Sequence, residues 1–464
     1  MKTIARTALC LALLTLAAAS STAAPRSERP LETAFVDPDA FIGTEADAAL
    51  TKAKAAGASA IKVPLFWSLI APVTRPLGFK PASPTDPAYN WVQLDAQLRL
   101  IRAHRLEPIV YIAAAPKWAV RDVHGFSRPD PAEYRAFALA AVQRYSGATR
   151  GLPRVRYWQA WNEPNKVADR SLKPTAATWY RTLVNAFAAS VHSRAGNAVV
   201  AGGLSPFGIS TAVAPLAFMR SLLCLSEGAS PHPTCSTRVR FDIWSTHPYT
   251  AGGPTHHAYR ANDVSLGDLP EMKAVLDAAV RTGRIVSKQP VRFWVTEFSW
   301  DSAPPDPLGV PAALEARWVA EALYRMWSSG VSLVTWFSLR DRPLPGSPYQ
   351  SGLYFQSSSY ARSRPKPALT AFRFPFVAFV RSNKVFVWGR TPTRASGSVV
   401  VEQQRSSGWR RVAVLQADRF GIFSDELRTP SRGAMRARLA TGGTRSLAFS
   451  LKRVPDRVFQ PFGK

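Results

Sequence analysis

Apolar positions between residues 31 and 374 follow two alternating rhythms. Short runs rich in Val, Ile, Phe and Trp, apolar almost throughout, read as buried strands. Longer runs with apolar residues every three or four positions read as amphipathic helices. The strand pattern falls at 33–36, 60–65, 108–112, a fourth run through 154–161, 198–203, 239–245, 291–296 and 331–337. The helical pattern falls at 45–56, 91–104, 131–145, 175–193, a short stretch ending near 223, then 269–281, 312–328 and 367–372. Gly57 supplies a stop signal and Pro131 a start signal. Strand–helix units in this order predict an α/β fold, a (β/α)8 TIM barrel. A doubly wound open sheet is the competing arrangement, but no glycine-rich nucleotide turn follows an early strand.

After residue 375 the helical period disappears. Short strand-like runs at 377–380, 385–388, 398–402, 410–415, 420–423, 435–439 and 445–451 are separated by Gly, Ser, Asn and Asp turns. That spacing predicts a small C-terminal all-β domain, an Ig-like sandwich. It either binds glycan or packs on the barrel as a structural cap, the simpler role. At the other end, Lys2 and Arg6 precede an apolar stretch at 8–18 and small residues at 20–24. This is the pattern of a secretion signal, too short to span a bilayer comfortably. Cys10 lies inside the apolar stretch, away from the cleavage zone, which argues against a lipoprotein anchor. The expected organisation is therefore a signal peptide at 1–24, a barrel at 25–374 and a β-domain at 375–464. The protein is expected to be secreted, with no transmembrane segment, as a monomer.

The hydrophobic fraction of 46% and the 14 tryptophans describe a packed globular chain. The formal charge of +28 suits contact with anionic glycan or cell-wall polymers. The competing reading is an arginine-rich chain scattering charge over solvated faces. No nucleic-acid recognition motif or dense basic tract accompanies the charge. Beyond the signal, Cys224 and Cys235 remain, and in an exported protein that spacing favours one local disulfide stapling a loop. A metal site using the nearby His232 is the alternative, but four good ligands are not visible. No cofactor is expected.

Two acidic residues carry most of the chemistry. Glu163 lies in Trp161-Asn162-Glu163-Pro164-Asn165 and Glu297 in Trp294-Val295-Thr296-Glu297-Phe298, each closing a strand-like run. A carboxylate at the end of a buried strand is costly unless it is used. Two of them at the C-terminal ends of different barrel strands are what retaining glycoside hydrolysis requires.

At these residues the chain resembles the retaining clan A glycoside hydrolases, nearest to families 39 and 5, over roughly residues 31–374. His247-Pro248-Tyr249, Trp336, Ser351-Gly352-Leu353-Tyr354 and Lys366-Pro367-Ala368 add to the resemblance. It implies that Glu163 is the general acid/base, with a raised pKa, and that Glu297 is the nucleophile, about 5–5.5 Å away. It implies that Asn162 holds the sugar hydroxyl beside the anomeric carbon, although a strand-end Asn also caps turns. His247 and Tyr249 would bond sugar hydroxyls or the nucleophile, and Trp336 would stack beneath the sugar. Trp67 and Trp118, on the loops after the second and third strands, read equally as sugar platforms or as packing. Family 5 places an arginine near the end of strand two; here the nearest cation is Lys62, which lacks the planar fork. Lys62 either steadies the nucleophile loosely or points elsewhere. The substrate implied is a β-linked polysaccharide or oligosaccharide; a non-catalytic carbohydrate- or cell-wall-binding protein on a glycosidase-like barrel is the competing function.

Overall fold

The computed structural model describes residues 29–120 and 128–459. The signal peptide expected at 1–24 lies outside the described residues.

Eight parallel strands close into a barrel: β1 (Glu32–Val36), β2 (Ala60–Phe66), β3 (Glu107–Ala113), β4 (Tyr157–Ala160), β5 (Ala198–Leu204), β6 (Ile243–Thr246), β7 (Arg292–Phe298) and β8 (Val331–Phe337). Each strand pairs with its sequence neighbours, and β8 closes the ring on β1. The longer helices that follow them are α1 (Ala46–Ala55), α2 (Val92–Ala103), α3 (Pro131–Arg144), α4 (Ala176–Val191), α5 (Pro215–Leu223), α6 (Leu269–Arg281), α7 (Ala312–Ser328) and α8 (Pro367–Arg373). The TIM barrel read from the two periods is the fold. α3 shows why local chemistry agrees with it: Pro131 stands at the first turn, and the Asp130 carboxylate accepts from Ala132 N and Glu133 N.

Two apolar cores follow from the period-two alternation of the strands. Ala34, Ala60, Ile109, Ala198, Val200, Ile243, Trp294 and Leu333 fill the lower barrel interior. The opposite faces, such as Phe35, Ile61, Val110, Val199 and Val334, pack against the helices.

Two strands differ from expectation. The fourth ends at Ala160, because tyrosines of the neighbouring helices take over its backbone groups. Tyr180 OH donates to Ala160 O at 2.7 Å, and Trp161 N donates to Tyr134 OH at 3.1 Å. The sixth run is broken in two: Val239–Arg240 pairs with Ile285–Val286, and only Ile243–Thr246 joins the barrel. Asp242 causes the break, its carboxylate being occupied by Val199 N at 2.8 Å, His192 Nε2 at 2.7 Å and Ser287 Oγ at 2.9 Å.

Beyond α8 the chain is all-β. β9 (Phe376–Arg381), β10 (Lys384–Arg390) and β13 (Ile422–Leu427) form one antiparallel sheet. β11 (Gly397–Arg405), β12 (Gly408–Ala417), β14 (Ala434–Leu439) and β15 (Phe449–Ser450) form a second. Of the last expected strand, 445–451, Phe449–Ser450 pairs with β14 as a strand and Arg445 bridges Arg438. Cys224 and Cys235 are joined in a disulfide, and His232 Nδ1 meets Ser226 Oγ at 2.9 Å. Among the described residues no helix is long and apolar enough to cross a membrane.

Candidate active site

The site forms where β4, β6 and β7 end. After Ala160 the backbone turns through two left-handed residues, Trp161 (φ 65°) and Glu163 (φ 48°). Glu163 N donates to Gly203 O at 3.0 Å, and Gln159 Nε2 donates to Trp161 O at 2.9 Å. These bonds hold a conformation that L-residues adopt at a cost. Gly203 is itself left-handed (φ 62°), and a Cβ there would lie 2.8 Å from Gln159 Nε2 and 3.5 Å from His247 Nε2. The glycine leaves room for the site's polar floor.

His247 joins the two acids. Its Nδ1 is 3.1 Å from Glu163 Oε1 and 4.0 Å from Glu297 Oε2, so those two oxygens are at most about 7 Å apart. Tyr249 OH donates to Glu297 Oε1 at 2.9 Å. Lys62, fully buried, donates to Asn162 Oδ1 at 3.0 Å and reaches Glu297 Oε2 at 3.7 Å. It also lies 4.6 Å from the ring centre of Tyr111. Of the two readings of Lys62, the structure favours the one in which it faces the acids.

Charge in this site is settled by competition. Burial alone would raise the Glu163 pKa, but His247 and the Lys166 ammonium on its second oxygen bring it down to about 2. The raised pKa expected from sequence is therefore not the state of the free site. Burial lowers Lys62, against the opposing pull of Glu297 and Glu163. Burial and then the Glu297 charge raise the Tyr249 phenol, which keeps it a donor to that carboxylate.

The tryptophans expected as platforms stand elsewhere. Trp336 is 1% exposed and turned to the helical layer, its ring against Phe298 and Phe372 and its Nε1 donating to Ser351 O at 2.7 Å. Alternation explains this: Leu333 faces the barrel interior, so Thr335 and Phe337 share its side and Trp336 does not. Trp67 is fully buried, stacked on Phe137 at 4.9 Å. Trp118 meets Trp67 edge-on and donates to Pro72 O at 2.8 Å, which fixes it within the loop packing.

Several residues at the mouth escaped the sequence reading. Lys166 was visible three positions after Glu163, but its i+3 contact depends on the turn. Phe337 is half-buried at the end of β8, edge-on to Tyr349 at 5.2 Å. Strand parity alone would have preferred it to Trp336. Tyr349 comes from the loop after β8 and is close enough to act electrostatically on Tyr249; nothing local in sequence signals that.

No protein-family model matches the chain, and no curated protein sequence does. Among solved structures it is similar to an endo-β-1,4-mannanase from Thermotoga petrophila, 13% identical over 92% of this chain and 98% of that one, with a TM-score of 0.42. It is similar to an endoxylanase from Clostridium papyrosolvens, 11% identical over 86% and 94% of the two chains, at 0.46. A glucosidase from Croceicoccus marinus is 12% identical over 86% and 93%, at 0.43. At such identities and scores the likeness carries no information on substrate or reaction.

Proposed function

We propose that the protein is a retaining glycoside hydrolase acting on a β-linked polysaccharide or oligosaccharide, exported by its first 24 residues. The observation that carries this reading is the pair of carboxylates, Glu163 and Glu297, brought to one histidine at the C-terminal mouth of the barrel. Their separation, at most about 7 Å between the oxygens facing His247, admits the ~5–5.5 Å of a double displacement.

In the first step a Glu297 oxygen attacks the anomeric carbon while the bond to the leaving oxygen breaks. Glu163, held ionised in the free site, must take up a proton as substrate enters, and it gives that proton to the leaving oxygen. In the second step Glu163 takes a proton from water, the water oxygen attacks the anomeric carbon, and Glu297 departs. Tyr249 and Lys62 both face Glu297, which suits a carboxylate kept ionised and oriented before attack. Asn162, fixed by Lys62, is placed to meet a sugar hydroxyl. Phe337 and Tyr349 offer the apolar faces on which a pyranose ring can lie.

One observation favours a second reading, a carbohydrate-binding protein without turnover: in the free site Glu163 is held ionised by His247 and Lys166. Glu163→Gln and Glu297→Gln, assayed on aryl-glycosides and polysaccharides, separate the two. Loss of turnover with glycan binding retained supports the enzyme, and a mechanism-based fluoroglycoside should label Glu297. Glycan binding by a wild type that turns over no member of the panel supports the binder.

A further inference from the structure

Behind the mouth lies a buried charge cluster that the proposed reaction does not use. Asp301 follows β7, Glu315 stands in the first turn of α7, Asp341 follows β8, and Lys366 immediately precedes α8. All four are 1% exposed or less. Lys366 Nζ donates to Asp341 Oδ1 at 2.6 Å and to Gln350 O at 2.9 Å. Gln350 N donates to Asp301 Oδ1 at 3.1 Å, and Gly352 N donates to Asp341 Oδ1 at 3.0 Å. Three ionisable side chains thus hold the backbone of residues 350–352.

The hold is tight and leaves little alternative. A Cβ on Gly352 would sit 2.2 Å from Arg340 C and from Asp341 N, so only glycine permits the approach. Ser351 O accepts from Trp336 Nε1, anchoring the same segment to the rear of β8. Tyr349, immediately before the clamped residues, is the ring against Phe337 at the mouth. Buried ion pairs rarely repay their desolvation, so four ionisable groups here need another reason.

We propose that Asp301, Asp341 and Lys366 are positioning residues for the cleft, fixing residues 350–352 so that Tyr349 is held against Phe337 beside the Tyr249–Glu297 pair. The inference rests on the glycosidase reading only where Tyr349 is taken to meet substrate. Loosening the clamp lets the Tyr349 ring leave its place, which weakens sugar binding more than it slows the chemistry.

Lys366→Met alone leaves a buried carboxylate without its cation, which works against folding, so the test is Lys366→Met combined with Asp341→Asn. The pair removes both charges and keeps an acceptor for Gly352 N. Fluorotyrosine placed at position 349 is read by ¹⁹F NMR in wild type and double variant, alongside Tm and steady-state kinetics on the best glycoside. Expected are a shifted or broadened resonance, KM raised roughly 5- to 10-fold with kcat within about threefold, and the same KM defect in Tyr349→Ala. A folded double variant with an unchanged resonance overturns the proposal. So does one with a moved resonance but wild-type KM. If wild type turns over no glycoside, the glycosidase reading fails, and the resonance alone still decides whether the cluster positions Tyr349.

Discussion

At the scale of single residues the site is governed by who holds Glu163. Its folded pKa, about 2, is below the ordinary 4.5, so this contact adds stability above pH 4.5 that is lost as pH falls towards 2. Lys166 is half exposed, and its share is screened by water. Lys166→Ala should therefore raise the Glu163 pKa by less than about one pH unit, seen by carboxyl NMR titration. The alkaline limb of kcat/KM should move up by the same amount; an unmoved titration would mean that His247 alone sets the charge. Tyr249→Phe removes the donor on Glu297 at little cost in volume. It should lower kcat/KM roughly 10- to 100-fold with Tm nearly unchanged. Both glutamates, Asn162, His247 and Tyr249 were legible because their strings sit at strand ends. Trp336 misled because aromatic identity was weighed ahead of strand parity. Lys62 was legible as a residue, but which way it pointed depended on the closed ring.

At the scale of elements, the strand and helix order was readable because buried strands and amphipathic helices differ in period. The breaks were not, since the Asp242 partners come from β5, the residue after α4 and the segment after Val286. α7 gives a pH-dependent prediction. Burial, with Asp341 and Asp301 against the pull of Lys366, raises Glu315 to about 8, and Asp301 rises to about 8 through burial, Asp306 and Asp341. A raised carboxyl pKa works against the fold: stability falls as pH rises from about 4.5 to 8 while only the unfolded chain releases the proton. Glu315→Gln should flatten that part of the stability curve and raise Tm at pH 8 by roughly 3–6 °C, measured by calorimetry. Equal pH slopes in the two proteins would contradict a buried, proton-holding Glu315. On β5, Gly202 has φ 91°, and a Cβ would lie 2.2 Å from Ser245 O. Gly202→Ala should cost about 3 kcal/mol or more in denaturant unfolding, because both backbone and space forbid it.

Over the whole molecule, the barrel and the β-strands beyond it are joined by more than apolar contact. Arg390 on β10, fully buried, donates to Leu31 O at 2.8 Å and to Phe372 O at 3.0 Å. On α7, Tyr324 meets Phe379, Phe386 and Trp388, and Trp327 meets Trp388 at 5.5 Å. A chain ending at residue 374 would bare these rings, and it should bind a hydrophobic dye and self-associate. A monodisperse, dye-silent fragment would show that the barrel needs no cover. The all-β stretch was readable from its short runs and turn spacing, and a cap was the simpler of two roles left open for it, whereas the Arg390 bonds to Leu31 O and Phe372 O were invisible in sequence.

The far end of the chain also reaches the strand-six loop. Asp456 accepts from Gly253 N and meets His256 Nδ1, both at 2.7 Å, and Phe459 packs against Trp318. The loop that begins at His247 is thus buttressed by residues about 200 positions later. During translation, that border of the cleft stays unbraced until this late stretch has left the ribosome.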